Sequence, residues 1–173
     1  MHEALLIVRL LVGLGMAAHG SQKLFGWFKG YGLHNTGEFL VSLGFPPGPA
    51  FASLAGLGEF AGGLLVALGL GGPVGSALLI VVMVTAAGTV HWKNGFFATN
   101  NGWELPMAYS LVAVLLAFTG PGFYSADHLL GLDAWTSVRH AWMAVGAGVA
   151  IGLANVVISK IRKAAAPAPA ATH

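Results

Sequence analysis

Five side chains that could transfer protons or stabilise charge lie within or at the ends of long apolar stretches of this sequence. They are, in chain order, Arg9, His19, Lys23, Glu59 and His91. An ionisable group among apolar neighbours is costly unless it has a partner, a cavity or a role. Histidines and a carboxylate can relay protons, and a cation can stabilise negative charge on a bound molecule. We therefore predict that these side chains approach one another at one inward-facing cleft.

Helix geometry indicates which of these groups could meet. If the apolar stretches are membrane helices, Glu59 lies roughly 13–16 Å above the inner boundary and Arg9 about 8 Å below the outer one. An arginine side chain can close the remaining vertical gap, so we expect an Arg9–Glu59 ion pair. That pair either locks two helices together or forms part of a site. Arg9, His19 and Lys23 also share a sector of about 80° on the first helix.

The composition identifies the elements that position these residues as membrane helices. Of the 173 residues, 56% are hydrophobic and only 8% are charged, whereas a soluble domain has about a quarter charged residues. The chain has no cysteine, which excludes disulfides, thiol catalysis and Cys-ligated metals within it. No basic stripe is present that could bind nucleic acid. We therefore predict an all-α membrane protein and no metal site.

Five stretches qualify as membrane spans or come close, by the criterion of about 20 mostly apolar residues. They are residues 4–23, 50–70, 73–92, 105–119 and 141–159. The short turn Gly71-Gly72-Pro73 makes the second and third spans antiparallel neighbours. With five spans, most lysines and arginines near the span ends fall on one side. This bias predicts an N-terminus outside and a cytoplasmic C-terminus.

Two further segments have a predicted conformation. The loop of residues 26–49 is too long for a simple turn, and within it residues 35–43 are predicted to form an interfacial helix capped by Asn35 or Thr36. Residues 164–173 alternate alanine and proline, which predicts a disordered tail.

The polar end of the first span lies in a run that resembles a known family. Residues 19–26, HGSQKLFG, are similar to the HGxQKLFG signature of the DoxX family of bacterial membrane proteins. Later runs follow in that family's order: LAG at 54–56, GGLL at 62–65, GFF at 95–97, GWE at 102–104 and GPGFYSAD at 120–127. The resemblance covers about residues 4–132. It implies a four-helix DoxX-like transmembrane bundle over residues 1–132, followed by an additional transmembrane helix in residues 133–163.

The resemblance also implies a class of function. The family takes its name from a subunit of a thiosulfate:quinone oxidoreductase, and other members are associated with membrane redox complexes. This chain would then be a subunit of a quinone-linked redox complex in a bacterial plasma membrane. The candidate catalytic residues, acting as a proton relay, are His19, Glu59 and His91. The candidate ligand-binding residues are Arg9, Gln22, Lys23 and Glu104.

A quinone is the cofactor that such a site would hold. A haem between His19 and His91 fits their shared depth, but no attachment motif accompanies these histidines. Two other classes stay open: an accessory or assembly subunit whose polar residues only join its helices, and a small transporter gated by Arg9 and Glu59. The expected partners are the lipid bilayer and either other membrane or redox subunits or a second copy bound through the added helix.

Overall fold

The structure, a computed structural model, describes residues 2–165, and its regular elements there are all helical. Short 3-10 turns at Ala98–Asn100 and Asp133–Thr136 lie between the longer helices. A π-helical turn at Ala87–His91 and a 3-10 turn at Trp92–Asn94 extend the fourth α-helix. The α-helices are α1 (His2–Leu24), α2 (Gly32–Ser42), α3 (Gly48–Leu68), α4 (Val74–Ala86), α5 (Glu104–Thr119), α6 (Ala126–Leu129) and α7 (Val138–Ala165).

The chain is a multi-pass membrane protein. Four helical segments are long and apolar enough to cross a bilayer, and α5 is a shorter apolar helix of 16 residues. Each of the five predicted spans coincides with one of these helices, which confirms the all-α membrane bundle. The four long segments are His2–Leu24, Gly48–Leu68, Val74–Asn94 and Val138–Ala165.

Glycines set the register between α1 and α3. A Cβ atom added at Gly13 would lie 2.5 Å from the Gly63 carbonyl oxygen, and one at Gly20 would lie 2.6 Å from that of Gly56. Such distances require the two backbones to touch, as small residues permit in membrane helices. The antiparallel helices therefore align so that Gly20 is level with Gly56 and the following turn of α3.

The last helix packs against α4 through two glycines that lie four residues apart. A Cβ atom added at Gly148 would lie 3.0 Å from the Ala77 carbonyl oxygen, and one at Gly152 would lie 2.7 Å from Val84 Cβ. Side chains from α1, α3, α4 and α5 fill the centre of the bundle. Its buried members include Met16, Val66, Leu79, Ile80, Met83 and Leu116.

Two predicted boundaries differ from the structure. The interfacial helix begins at Gly32, with Tyr31 at the cap position and no side-chain cap, so capping by Asn35 or Thr36 is wrong. Gly32 has a φ of +71°, which glycine adopts without strain. This conformation lets the helix begin at residue 32, before the predicted start at residue 35. The final helix runs through Ala165, two residues into the predicted tail. Residues 166–173 of that tail lie outside the described residues.

Candidate functional site

One cavity of about 450 Å³ lies among α1 to α5 near the end of the bundle that holds Lys23 (the Lys23 end). Its walls are mostly apolar side chains, including Met16, Phe39 and Phe45. Four of the residues singled out in the sequence also line it: His19, Lys23, Glu59 and His91. The structure thus brings together at one cavity the histidines, the carboxylate and the lysine.

Lys23 and Glu59 form an ion pair across the contact between α1 and α3. The Glu59 side chain is only 4% exposed, whereas that of Lys23 is 31% exposed. A buried carboxylate needs an opposite charge and hydrogen bonds to offset its lost hydration. Lys23 supplies the opposite charge and a hydrogen bond, because its long side chain extends from the edge of the cavity toward the middle of the bundle.

The expected Arg9–Glu59 ion pair is wrong. The register set by the glycine contacts places Arg9 level with Ala67, whose carbonyl oxygen accepts a hydrogen bond of 3.3 Å from Arg9 Nη2. Ala67 follows Glu59 by eight residues, a rise of roughly 12 Å, which is too far for a direct bond. Depths measured from assumed helix ends placed Arg9 too close to Glu59, because they did not include the register between the two helices.

Arg9 instead binds backbone carbonyls at the opposite end of the bundle (the Arg9 end). Its guanidinium donates to the carbonyl oxygens of Pro121 and Tyr124, the latter at 2.7 Å. Asp127 contributes negative charge near Arg9. Arg9 is buried and does not line the cavity, so the structure places this candidate ligand-binding residue in a clamp that joins α1, α3 and the chain after α5.

Asp127 completes this clamp, a role that the sequence argument did not assign. The side chain is fully buried and accepts hydrogen bonds from the backbone N–H groups of Gly71 and Gly72 at 2.8 and 2.6 Å. The Asp127 N–H donates to the Gly69 carbonyl oxygen at 3.0 Å. The GPGFYSAD run therefore holds the turn between α3 and α4 in place. The run itself was the sequence feature that could have pointed to Asp127.

His91 is positioned by the π-helical turn that ends α4. One wide turn of this kind inside an α-helix is frequently found at functional sites. The Nδ1 atom of His91 lies 2.8 Å from the carbonyl oxygen of Asn101. Because a carbonyl only accepts hydrogen bonds, Nδ1 carries the proton, and Nε2 of the neutral ring is the acceptor.

His19 differs from the other cavity histidine in having no hydrogen-bond partner among the described residues. It lies four residues before Lys23, on the same face of α1. The side chain is exposed in the isolated chain and lines the cavity. Both ring nitrogens are therefore available to a bound molecule.

The remaining two candidate ligand-binding residues do not line the main cavity. Gln22 donates from Nε2 to the Phe28 carbonyl oxygen at 3.2 Å and faces a neighbouring cavity. Glu104 Oε2 accepts from the backbone N–H of Ala98 at 2.8 Å, which fastens the loop before α5. Within residues 2–165, no three His, Cys, Asp or Glu side chains are grouped so that they could hold a metal ion.

The final helix, expected to be an addition, reaches the cavity. Asn155 lines the cavity and donates to Thr85 Oγ1 at 3.2 Å. Ser159 Oγ donates to the Leu43 carbonyl oxygen at 2.5 Å, and Arg162 Nη1 to that of Pro46 at 3.3 Å. The connection between α2 and α3, which forms one wall, is thus held by α7. Sequence reasoning missed both Asn155 and Tyr109, another cavity residue.

Comparison with known proteins identifies a family. The family model described as DoxX matches residues 4–92, just over half of the 173 residues. The matched range spans α1 to the end of the π-helical turn and contains His19, Lys23, Glu59 and His91. The later runs of the resemblance, from residue 95 onward, lie beyond it. No curated protein and no solved structure matches the chain.

Proposed function

The chain belongs to the DoxX family, and from that premise we propose that it is a quinone-binding subunit of a membrane redox complex. The observation that carries this proposal is the convergence of His19, Lys23, Glu59 and His91 on one largely apolar cavity. A quinone requires an apolar slot together with a few polar groups that fix and protonate its carbonyl oxygens. Both requirements are met by the lining residues.

The size and chemistry of the cavity fit such a ligand. Its volume of about 450 Å³ lies within the range of about 300–1,000 Å³ of small-molecule pockets. Phe39 and Leu54 line it and are 50% and 65% exposed in the isolated chain. These exposed apolar side chains give the cavity an edge toward the lipid, through which a hydrophobic molecule could enter.

The chain's own side chains have distinct roles in this proposal. A bound quinone supplies two-electron, two-proton redox chemistry. His19 would donate a hydrogen bond or a proton to a carbonyl oxygen of the quinone, and the Tyr109 hydroxyl would be a second donor. His91 holds its proton at Nδ1 against Asn101 and would accept at Nε2. Glu59, whose charge is balanced by Lys23, would relay protons between the cavity and its edge.

Electrons would reach the ligand from a partner subunit. The chain has no cysteine, so thiol–disulfide exchange within it is excluded. We place the complex in a bacterial plasma membrane with the Lys23 end in the cytoplasm, because positive charge accumulates on the cytoplasmic side. The basic residues at that end are Lys23, Lys29, Lys93, Lys160, Arg162 and Lys163.

The second candidate is a non-catalytic accessory subunit, and the Lys23–Glu59 pair favours it. Each partner neutralises the other, so the pair alone accounts for two members of the group His19, Lys23, Glu59 and His91 as a lock between helices. His19 separates the two candidates, because it has no partner among the described residues and no evident role in a scaffold.

Organic extraction of the purified full-length protein tests the proposal. Chromatography with absorbance detection should find quinone in stoichiometric amount. His19→Ala should lose most of it and keep its thermal unfolding profile, because the side chain makes no hydrogen bond with any other residue that the structure describes. His34→Ala is the matched control, since the His34 side chain is 82% exposed and lies outside the cavity. Equal quinone in the two variants would favour the accessory subunit.

A further inference from the structure

A second cavity adjoins the first at the Lys23 end. It has a volume of about 540 Å³ and lies between the end of α1, the following loop and α2. The two cavities share Lys23, Thr36 and Phe39. The polar residues that line only the second are Gln22, Lys29, Tyr31 and Asn35. Its lining contains two lysines and no carboxylate, so the cavity is suited to an anion.

The loop that presents Lys29 adopts an unfavourable backbone conformation. Phe28 and Lys29 have φ values of 51° and 61°, and two consecutive non-glycine residues in the left-handed region are uncommon. Gln22 Nε2 holds the turn by donating to the Phe28 carbonyl oxygen at 3.2 Å. Gly30 packs so closely that an added Cβ would lie 2.5 Å from Gln22 Cα. Backbone strain of this kind clusters at ligand clamps.

We propose that this second cavity binds a phosphate-bearing anion. Lysines bind phosphate as point charges, and Lys23 and Lys29 line the cavity from two sides of the loop. The amides of Gln22 and Asn35 each donate one N–H to a backbone carbonyl, which leaves the second N–H of each amide for a ligand. The Tyr31 hydroxyl adds another donor.

The position of the cavity favours the headgroup of an anionic phospholipid as the source of that phosphate. The side chains of Trp27, Phe28 and Tyr31 are 57%, 68% and 80% exposed, and exposed aromatic residues at helix ends lie at the level of lipid headgroups. A soluble phosphate ester has the same recognition chemistry. A comparison of phosphatidylglycerol with inorganic phosphate as probes distinguishes these two sources.

The site works independently of the proposed quinone. The ammonium of Lys23 has three N–H donors, so it can remain paired with Glu59 while binding an anion on the other side. Lys29 and Tyr31 do not line the quinone cavity. Substitutions there change anion binding and leave the content of quinone unaffected, so the two proposals fail separately.

Binding to the full-length protein in neutral detergent provides the test, with native mass spectrometry and thermal unfolding as readouts. The probes are phosphatidylglycerol, zwitterionic phosphatidylcholine and inorganic phosphate. We expect preferential binding and stabilisation by phosphatidylglycerol, with about tenfold weaker affinity in Lys29→Gln. Lys160→Gln is the matched control, since Lys160 is exposed at the same end of the bundle and outside the cavity.

A second variant avoids the strained turn. Tyr31→Glu places a carboxylate at the cavity while Tyr31 itself has an ordinary φ of −81°, and it too should weaken binding of the anion. Equal affinity of wild type for inorganic phosphate and for phosphatidylglycerol would assign the site to a soluble anion. Equal binding of phosphatidylglycerol and phosphatidylcholine without response to phosphate would overturn the proposal. Equal losses in Lys29→Gln and Lys160→Gln would overturn it as well.

Discussion

Lys23 at the end of α1 and Glu59 in the middle of α3 form an ion pair at the wall of the main cavity. The pair exists because Gly13 and Gly20 let α1 touch α3 in one register. The only other cation of α1 within the described residues, Arg9, is held at the far end of the helix by backbone carbonyls. The charges of α1 are therefore divided between two tasks.

Removing one member of this pair should destabilise the protein. Lys23→Gln leaves a buried carboxylate without an opposite charge, at a cost of about 3 kcal/mol in the free energy of unfolding. Glu59→Gln should cost less, because Lys23 is partly exposed and can be hydrated. The double variant should recover part of the loss, measured as coupling in a double-mutant cycle. Coupling between Arg9→Gln and Glu59→Gln of equal size would contradict this pairing.

The clamp at the Arg9 end should respond to loss of the Asp127 charge. Asp127→Asn removes an acceptor from the Gly71 or Gly72 N–H group and takes away a negative charge near Arg9. We expect a loss of about 3 kcal/mol in unfolding free energy. Glu38→Gln is the control, because the Glu38 side chain is 71% exposed and an exposed pair contributes little. Equal stability of the two variants would refute the clamp.

Gly20→Ala tests the contact between α1 and α3. The added Cβ would lie 2.6 Å from the Gly56 carbonyl oxygen, so the helices must move apart, and unfolding should occur at a lower temperature. Gly15→Ala is the matched control on the same helix, because within residues 2–165 no atom beyond the adjoining residues and the helix's own backbone lies within 4 Å of its added Cβ. That change should be neutral or stabilising, as alanine favours the helix by up to about 1 kcal/mol. Similar losses in both would contradict the assigned register.

Ser159→Ala tests whether α7 supports the wall of the cavity. The change removes the hydrogen bond to the buried Leu43 carbonyl oxygen and should cost about 1–2 kcal/mol. It should also reduce the amount of bound ligand after purification. Ser42→Ala removes a local bond to Phe39 from an exposed serine and should alter neither quantity. If Ser159→Ala retained the same amount of bound ligand as the wild type, α7 would not support the wall of the cavity.

The sequence predicted the helices and the main group of polar residues well. Runs of apolar residues predicted the five apolar helices, of which four are long enough to cross a bilayer, because crossing demands a length that few other structures need. His19, Lys23 and His91 met at one cavity because all three lie near the C-terminal ends of α1 and of the extended α4, two helices that run in the same direction. For residues at the same membrane boundary, their depth along the helices was enough to predict that they lie near one another.

The partners of Arg9 and Gln22 could not be predicted in this way. Both side chains bind backbone carbonyls of loops, and the conformation of a loop is not encoded in helical periodicity. The register of α1 against α3 depends on which glycines face the partner helix. With glycine abundant throughout the chain, at 26 residues, the sequence offers many equivalent choices.

Photolabelling with a reactive quinone analogue tests directly whether the main cavity binds a quinone. The purified full-length protein is illuminated with the analogue in the presence or absence of excess unmodified quinone, and labelled residues are mapped by mass spectrometry. If the cavity binds quinone, labelling should be reduced by excess quinone and should fall on peptides that carry His19, Glu59 or His91. Labels that resist competition and spread over the exposed apolar side chains of α7 would contradict it.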